Sequence, residues 1–244
     1  MARPRQRADA DTATRILDVA ERLVQVRGFN GFSYADVASE LGITKASLHY
    51  HFAGKAELGE ALIGRYAARF AEALTEIDRG GGDAAAKLDA YAGLYADVLR
   101  EKRMCLCGML AADYDTLPRP MRDAVIGFFD DNEVWLARVL GEGQDDGSLR
   151  LGGSASEAAQ AIIGGLEGAL LIARPYGDVD RFQAAANRLD RKTPILSERN
   201  CSAPRGLSSC VAEMARPLSP VIKLRRSPGQ NSRLFAGPTP LSAR

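Results

Sequence analysis

The sequence predicts an all-α protein: an N-terminal three-helix unit carrying a helix-turn-helix, followed by a larger C-terminal helical unit. Three observations point there. Residues 33–52 read as two short helices joined by a tight turn, and apolar residues recur at three- and four-residue spacing through most of residues 12–189. No stretch carries a convincing strand pattern.

The first helix is expected from Asp11 or Thr12 to Arg27, with Ile16, Leu17, Ala20, Leu23 and Val24 on one face and Gly28 at its end. Ahead of it, residues 1–10 hold Arg3, Arg5 and Arg7 before the first acid, Asp9. They are expected to form a basic arm or a frayed terminus. Phe29 and Phe32 are placed to pack under the next segment. Ser33-Tyr34-Ala35-Asp36 reads as a capping box, Val37 and Leu41 supply an apolar stripe, and Gly42 supplies the left-handed turn that ends the second helix.

In the third helix, from Thr44 to Phe52, Leu48 and Phe52 share one face. Ala46, Ser47 and Tyr50 point away from it, with His49 and His51 on its flanks. So short a helix is not stable alone in water, so its neighbours must brace it. A long helix follows from Lys55 to about Arg79, with Leu58, Leu62, Tyr66, Phe70, Leu74 and Ile77, and glycines 80–82 stop it.

Residues 84–103 form another helix, 104–114 a shorter apolar segment, and Pro118 and Pro120 mark a turn. The next helix reaches about Gly141, and the glycine-rich residues 143–153 read as a loop. Ser154 or Ser156 then caps a helix to Arg174 whose middle is apolar on nearly every side, so it must be buried all round. Residues 178–189 make a last amphipathic helix.

Residues 12–77 resemble the N-terminal part of the TetR/AcrR-family transcriptional regulators. The resemblance is carried by Gly28, Ser33 to Ala38, Gly42-Ile43-Thr44-Lys45, Leu48 through Phe52, and Lys55. It implies a TetR-like homodimer that binds a palindromic double-stranded DNA operator and releases it on binding a small-molecule effector. Position by position it implies that Lys45, Ala46, Ser47 and His49 face base edges or the groove wall. Tyr50, His51 and Lys55 would hold phosphates, with Ser33, Tyr34 and Thr44 near helix starts. The family commonly has tyrosine where His49 stands, so the tyrosine–phosphate contact shifts here toward Tyr50.

The expected organisation is a DNA-binding domain over residues 1–54, a ligand-binding and dimerisation domain over 55–189, and a basic tail over 190–244. That tail holds 10 of the 32 Lys and Arg, 3 of the 31 Asp and Glu, and seven of the eleven prolines, and is expected to be disordered. The remaining 22 basic and 28 acidic residues leave residues 1–189 at −6, so DNA affinity must come from local basic groups. No apolar leader follows the N-terminal arginines, and the run from Ala158 to Ala173 is too short to span a bilayer, so a cytoplasmic protein without membrane contact is expected.

Chemistry other than binding finds little support. His49 and His51 are the only histidines and diverge by about 200° on a helix, so they do not share a metal, and no catalytic dyad is available. No cofactor and no enzymatic activity are expected. Cys105 and Cys107 read first as small apolar core side chains; the alternative is a thiol sensor of electrophiles or oxidants, which needs a pKa lowered by Arg100, Lys102 or Arg103.

Tyr91, Tyr95, Cys105, Cys107, Met109, Phe128, Trp135 and Leu166 are candidate lining of an effector pocket, and the few charges on those faces predict an apolar or aromatic effector. Ile162, Gly165, Leu166, Ala169, Leu170 and Phe182 are the expected dimer interface. The functional expectation is a ligand-responsive repressor. A helical small-molecule-binding protein or enzyme that merely retains the helix-turn-helix is the alternative of another class.

Overall fold

The computed structural model describes the backbone of residues 4–191 and the side chains of residues 9–189. Among them are nine α-helices and no strand. The first helix, α1 (Pro4–Arg27), starts earlier than expected, so residues 4–10 are helix rather than an arm. Proline suits the first helical turn, and no glycine or second proline follows to break it. Gly28 ends α1 with φ 80°.

α2 (Tyr34–Leu41) is closed by Gly42 at φ 65°, and α3 (Lys45–His51) follows after two residues. α4 (Lys55–Gly80) is the long connecting helix, and it stops at Gly81. Beyond it come α5 (Ala84–Arg100), α6 (Leu106–Ala112), α7 (Arg119–Asp145), α8 (Ala155–Ala173) and α9 (Val179–Arg191). Ser154, not Ser156, caps α8 through a reciprocal box with Glu157. From residue 192 onward, the expected tail lies outside the described residues.

α7 runs through Gly143, past the expected end near Gly141. That glycine marks a close approach, since a Cβ there would stand 2.6 Å from Ala84 Cβ and 2.7 Å from Leu149 Cδ1.

One connected core runs from Ile16, Leu23 and Leu48 through Leu58, Leu62 and Tyr66 to Tyr95, Phe128, Leu166 and Phe182. Polar links fasten α1–α3 to the rest. The Phe29 amide donates to Asp113 Oδ2 at 2.7 Å, Asn30 Nδ2 donates to Thr116 Oγ1 at 2.8 Å, and Arg174 donates to the Val26 carbonyl. Glu21, buried on α1, accepts from Arg65 at 2.7 Å and from Arg69, both on α4. At the far end of α4, Asp78 accepts from Trp135 Nε1 at 3.0 Å and Arg138 at 2.7 Å, which ties that end to α7.

Candidate nucleic-acid interface

α3 is held by one face and presents the other. Leu48 is 0% exposed and Phe52 is buried beside it, whereas Tyr50 is 74% exposed. The Thr44 hydroxyl accepts the Ser47 amide at 3.1 Å and caps the helix. Ahead of α2, the Ser33 amide and hydroxyl both donate to Asp36 Oδ2, at 2.7 and 2.6 Å, and these bonds hold the Asp36 carboxyl below its ordinary range. Capping therefore fixes the start of both helices, and Ala46, Ser47 and Tyr50 remain on the open side of α3.

The ten candidate DNA-contacting residues fall into two groups. Ser33, Tyr34, Lys45, His49 and Lys55 line one cleft of about 470 Å³, together with Phe32 and Ala35. His49 Nδ1 lies 3.1 Å from the Ala53 carbonyl and its ring is 4.8 Å from that of Tyr34. Thr44, Ala46, Ser47, Tyr50 and His51 lie along α3 itself, where the Tyr50 and His51 rings meet edge to face at 5.1 Å.

Besides Ser33 and His49, two further polar ends in the first group are engaged by the fold. Tyr34 donates its hydroxyl to the Phe52 carbonyl at 3.1 Å, and burial, with Glu57 nearby, pushes its pKa up to about 12. That hydroxyl braces the end of α3 instead of standing free for a phosphate. Lys55 donates to the carbonyls of Phe29 and Phe32, the latter at 2.6 Å, with its ammonium over both rings at 4.6 and 4.2 Å. Burial lowers its pKa, against the pull of Asp113 and Asp36. Without DNA, the positive charge in the first turn of α4 is thus satisfied by the carbonyls of the loop after α1, with two of the three ammonium N–H groups engaged. Replacement by methionine keeps the aliphatic reach but orphans two carbonyls, so Lys55→Met is expected to cost about 1–3 kcal/mol in urea unfolding. A role confined to phosphate would leave the unfolding midpoint unmoved.

Inside α4–α8 lies an aromatic cluster. Tyr91 stacks on Trp135 at 5.6 Å, and Phe70 meets Tyr91, Tyr95 and Phe128 edge to face at 5.2–6.2 Å. Tyr91 donates to Asn132 Oδ1 at 3.2 Å, and Tyr66 donates to Cys105 Sγ at 3.6 Å. Among the candidate lining residues, Tyr91, Tyr95, Cys105, Cys107, Phe128 and Leu166 are buried together, with Met109 and Trp135 at the margin of the core.

Glu167 was not anticipated. Burial pushes its carboxyl up to about 7, and it sits beside Cys105 over Gly108, where a Cβ would collide with it. The one charged residue in the apolar middle of α8 was the available signal. Cys105 and Cys107 are 0% exposed, and burial and the adjacent Glu167 drive both thiols up. That is the reverse of the lowered pKa which thiolate sensing requires.

Residues 16–62 match the model of bacterial regulatory proteins of the tetR family, and residues 84–189 match that of the tetracyclin repressor-like C-terminal domain. A TetR-family regulator from Agrobacterium tumefaciens superposes with a TM-score of 0.72 at 31% identity, over 75% of this chain and 97% of that one. The transcriptional regulator AcuR of Cereibacter sphaeroides is 29% identical over 178 residues, covering 70% of this chain and 81% of AcuR. The transcriptional repressor NemR of Escherichia coli K12 is 26% identical over 171 residues, 67% of this chain and 84% of NemR. The chain belongs to the TetR family of transcriptional regulators.

In this TetR-family chain the face of α8 left open differs from the expected dimer face. Ile162, Leu166, Leu170 and Phe182 are at most 5% exposed within the single chain, and a Cβ on Gly165 would stand 2.6 Å from Leu189 of α9. These side chains pack the protomer's own α7, α8 and α9. Ala161, Gly164, Gly168, Leu171 and Ile172 lie instead on one exposed stripe of about 100° of arc. Leu171 is 56% and Ile172 59% exposed, and both glycines face open space. Ala169 lies at the edge between the two faces, half-buried. Among the described residues no helix is long and apolar enough to cross a membrane, and no cluster is suited to hold a metal ion.

Proposed function

We propose that this regulator is a ligand-responsive repressor that binds a palindromic operator as a homodimer and releases it when a small effector occupies the core of residues 84–174. The observation that carries the reading is α3: a helix anchored by Leu48 at 0% exposure that offers Ser47 and a Tyr50 74% exposed to a partner. Its N-terminal Lys45 and the Ser33–His49 cleft add groups suited to groove and phosphate. The open apolar stripe of α8 supports self-association, which would place two copies of α3 about 34–36 Å apart, one turn of duplex. Repression is the sign in the name of NemR, and it is carried to this chain as part of the proposal.

Release follows from how the parts are joined. Tyr66 on α4 donates to Cys105, which caps α6, while α6 is followed by Asp113, acceptor of the Phe29 amide. An effector that parts the aromatic cluster displaces α4 and α6 together and so shifts the α1–α3 unit. A coupling of about 1–3 kcal/mol changes operator affinity roughly 5- to 150-fold.

Titration against the DNA upstream of the protein's own coding region, at several salt concentrations, tests the reading. Tyr50→Ala is expected to weaken binding to all sequences, and Ser47→Ala to change the ranking among sequences. No shift at micromolar protein, or equal effects of the two changes, would contradict it.

A further inference from the structure

Four side-chain atoms buried among the described residues accept or donate no hydrogen bond: Gln25 Oε1, Arg65 Nε, Asp78 Oδ1 and Glu167 Oε1. The Arg65 and Asp78 side chains are neutralised through ion pairs, Arg65 with Asp18 and Glu21, Asp78 with Lys87 and Arg138. Gln25 carries no charge. Of the four, Glu167 is the acid without a basic partner: the residue is half-buried, its carboxyl meets the Cys105 thiol, and Oε1 is buried with no donor. The groups that face it are Cys105 and Cys107 from α6, Tyr66 from α4, and Tyr91 and Tyr95 from α5, and not one of them is a cation. Arg174, one helical segment further on, is engaged with Met109 Sδ and the Val26 carbonyl.

A buried carboxylate with a vacant lone pair is costly unless a donor meets it. Here the Cys105 thiol meets the carboxyl but leaves Oε1 unmet, and beyond the two thiols stand tyrosines, of which Tyr66 leads into Phe70 and Phe128. Carboxylate and aromatic rings together are the chemistry that recognises an ammonium group, the carboxylate by charge and hydrogen bond and the rings by their negative faces. From this placement we infer that the effector is a small organic cation, whose protonated amine meets Glu167 Oε1 while its apolar body lies among Tyr66, Tyr91, Tyr95 and Phe128.

The inference rests on the effector-domain reading above and narrows it to one class of ligand. It also gives Glu167 a role in which the charged form, disfavoured in the free protein, is restored on binding. Binding should therefore strengthen as pH rises through the range where this carboxyl ionises.

The test is thermal unfolding of the full chain with a graded series of primary amines: methylamine, butylamine, benzylamine and 2-phenylethylamine. Benzyl alcohol and benzoate serve as neutral and anionic counterparts. At least one amine is expected to raise Tm, more at pH 8 than at pH 6, with apparent affinity at least tenfold above that of benzyl alcohol. Glu167→Gln is expected to abolish the response, and its own cooperative unfolding in the absence of amine reports that it has folded. The inference is overturned if no amine raises Tm, if benzyl alcohol or benzoate stabilises as well as the amines, or if the glutamine variant responds unchanged. Operator titration of the same preparation separates the two readings. DNA binding without an amine response leaves the regulator standing and removes the cation, whereas failure to bind DNA removes the regulator itself.

Discussion

Leu48→Ala is expected to destroy operator binding while leaving the helices beyond α4 intact. Leu48 is 0% exposed and is the one fully buried side chain of a seven-residue helix. Truncation of such a leucine costs about 2–5 kcal/mol, because the helix has little else with which to close the cavity. A helix of that length has no stability of its own to draw on. A loss of about 3 kcal/mol in the local folding of α3 is a fall of roughly 100-fold in affinity, at 1.4 kcal/mol per factor of ten. Hydrogen exchange should show the amides of α3 losing protection while those of α5 and α7 keep theirs. Tyr50→Ala, at a side chain 74% exposed, should leave protection unchanged and weaken binding alone. Retention of operator affinity by Leu48→Ala would remove α3 from the interface.

The second large effect is a pH dependence of stability traceable to Glu167. Its carboxyl is pushed up to about 7 by burial, from an ordinary value of 4.5 that the unfolded chain retains. A raised folded pKa means that the native state binds the proton more tightly. The favourable contribution is fully present below about 4.5 and is lost as pH rises through about 7. Over that range this one group removes on the order of 3 kcal/mol, at 1.36 kcal/mol per pH unit of separation. Glutamine does not titrate. The stability difference between Glu167→Gln and the parent chain should therefore move by about that amount in favour of the variant between pH 5 and pH 8.5, measured by urea unfolding. A difference that stays constant with pH would mean that Glu167 is solvated, and would withdraw the buried acid on which the cation inference stands.

The two expectations differ in how they could be seen. Leu48 and Phe52 were legible because four-residue spacing on a short helix admits only one inward face, and capping residues on either side fixed its ends. Glu167 was visible as a letter but not as a site, since no periodicity says which side of a uniformly apolar helix meets α6. The same ambiguity bears on the expected dimer face, most of whose side chains are buried within the single chain. A helix that is hydrophobic all round must be covered all round, but its sequence does not say which cover is its own chain and which is a second copy.

Lys55 shows the limit in another form. The resemblance implies a phosphate for its ammonium, whereas within the chain that ammonium is met by a pair of carbonyls more than twenty residues earlier. Cys105 and Cys107 are a parallel case. The basic residues 100–103 were close in sequence, whereas the thiols turn inward to Glu167, more than fifty residues further along.

By itself the sequence determined the helical class, the order and most boundaries of the helices, the two capped starts around Gly42, and the outward set on α3. Each of these depends on contacts within about four residues, where backbone geometry leaves few choices. Tertiary structure alone decided which acceptor holds Lys55, what surrounds the cysteines, that the Glu167 carboxyl turns inward against Cys105 with no cation beside it, and which stripe of α8 is left open. Those depend on distances between segments far apart in the chain, and burial converts such distances into energy only after the helices have packed.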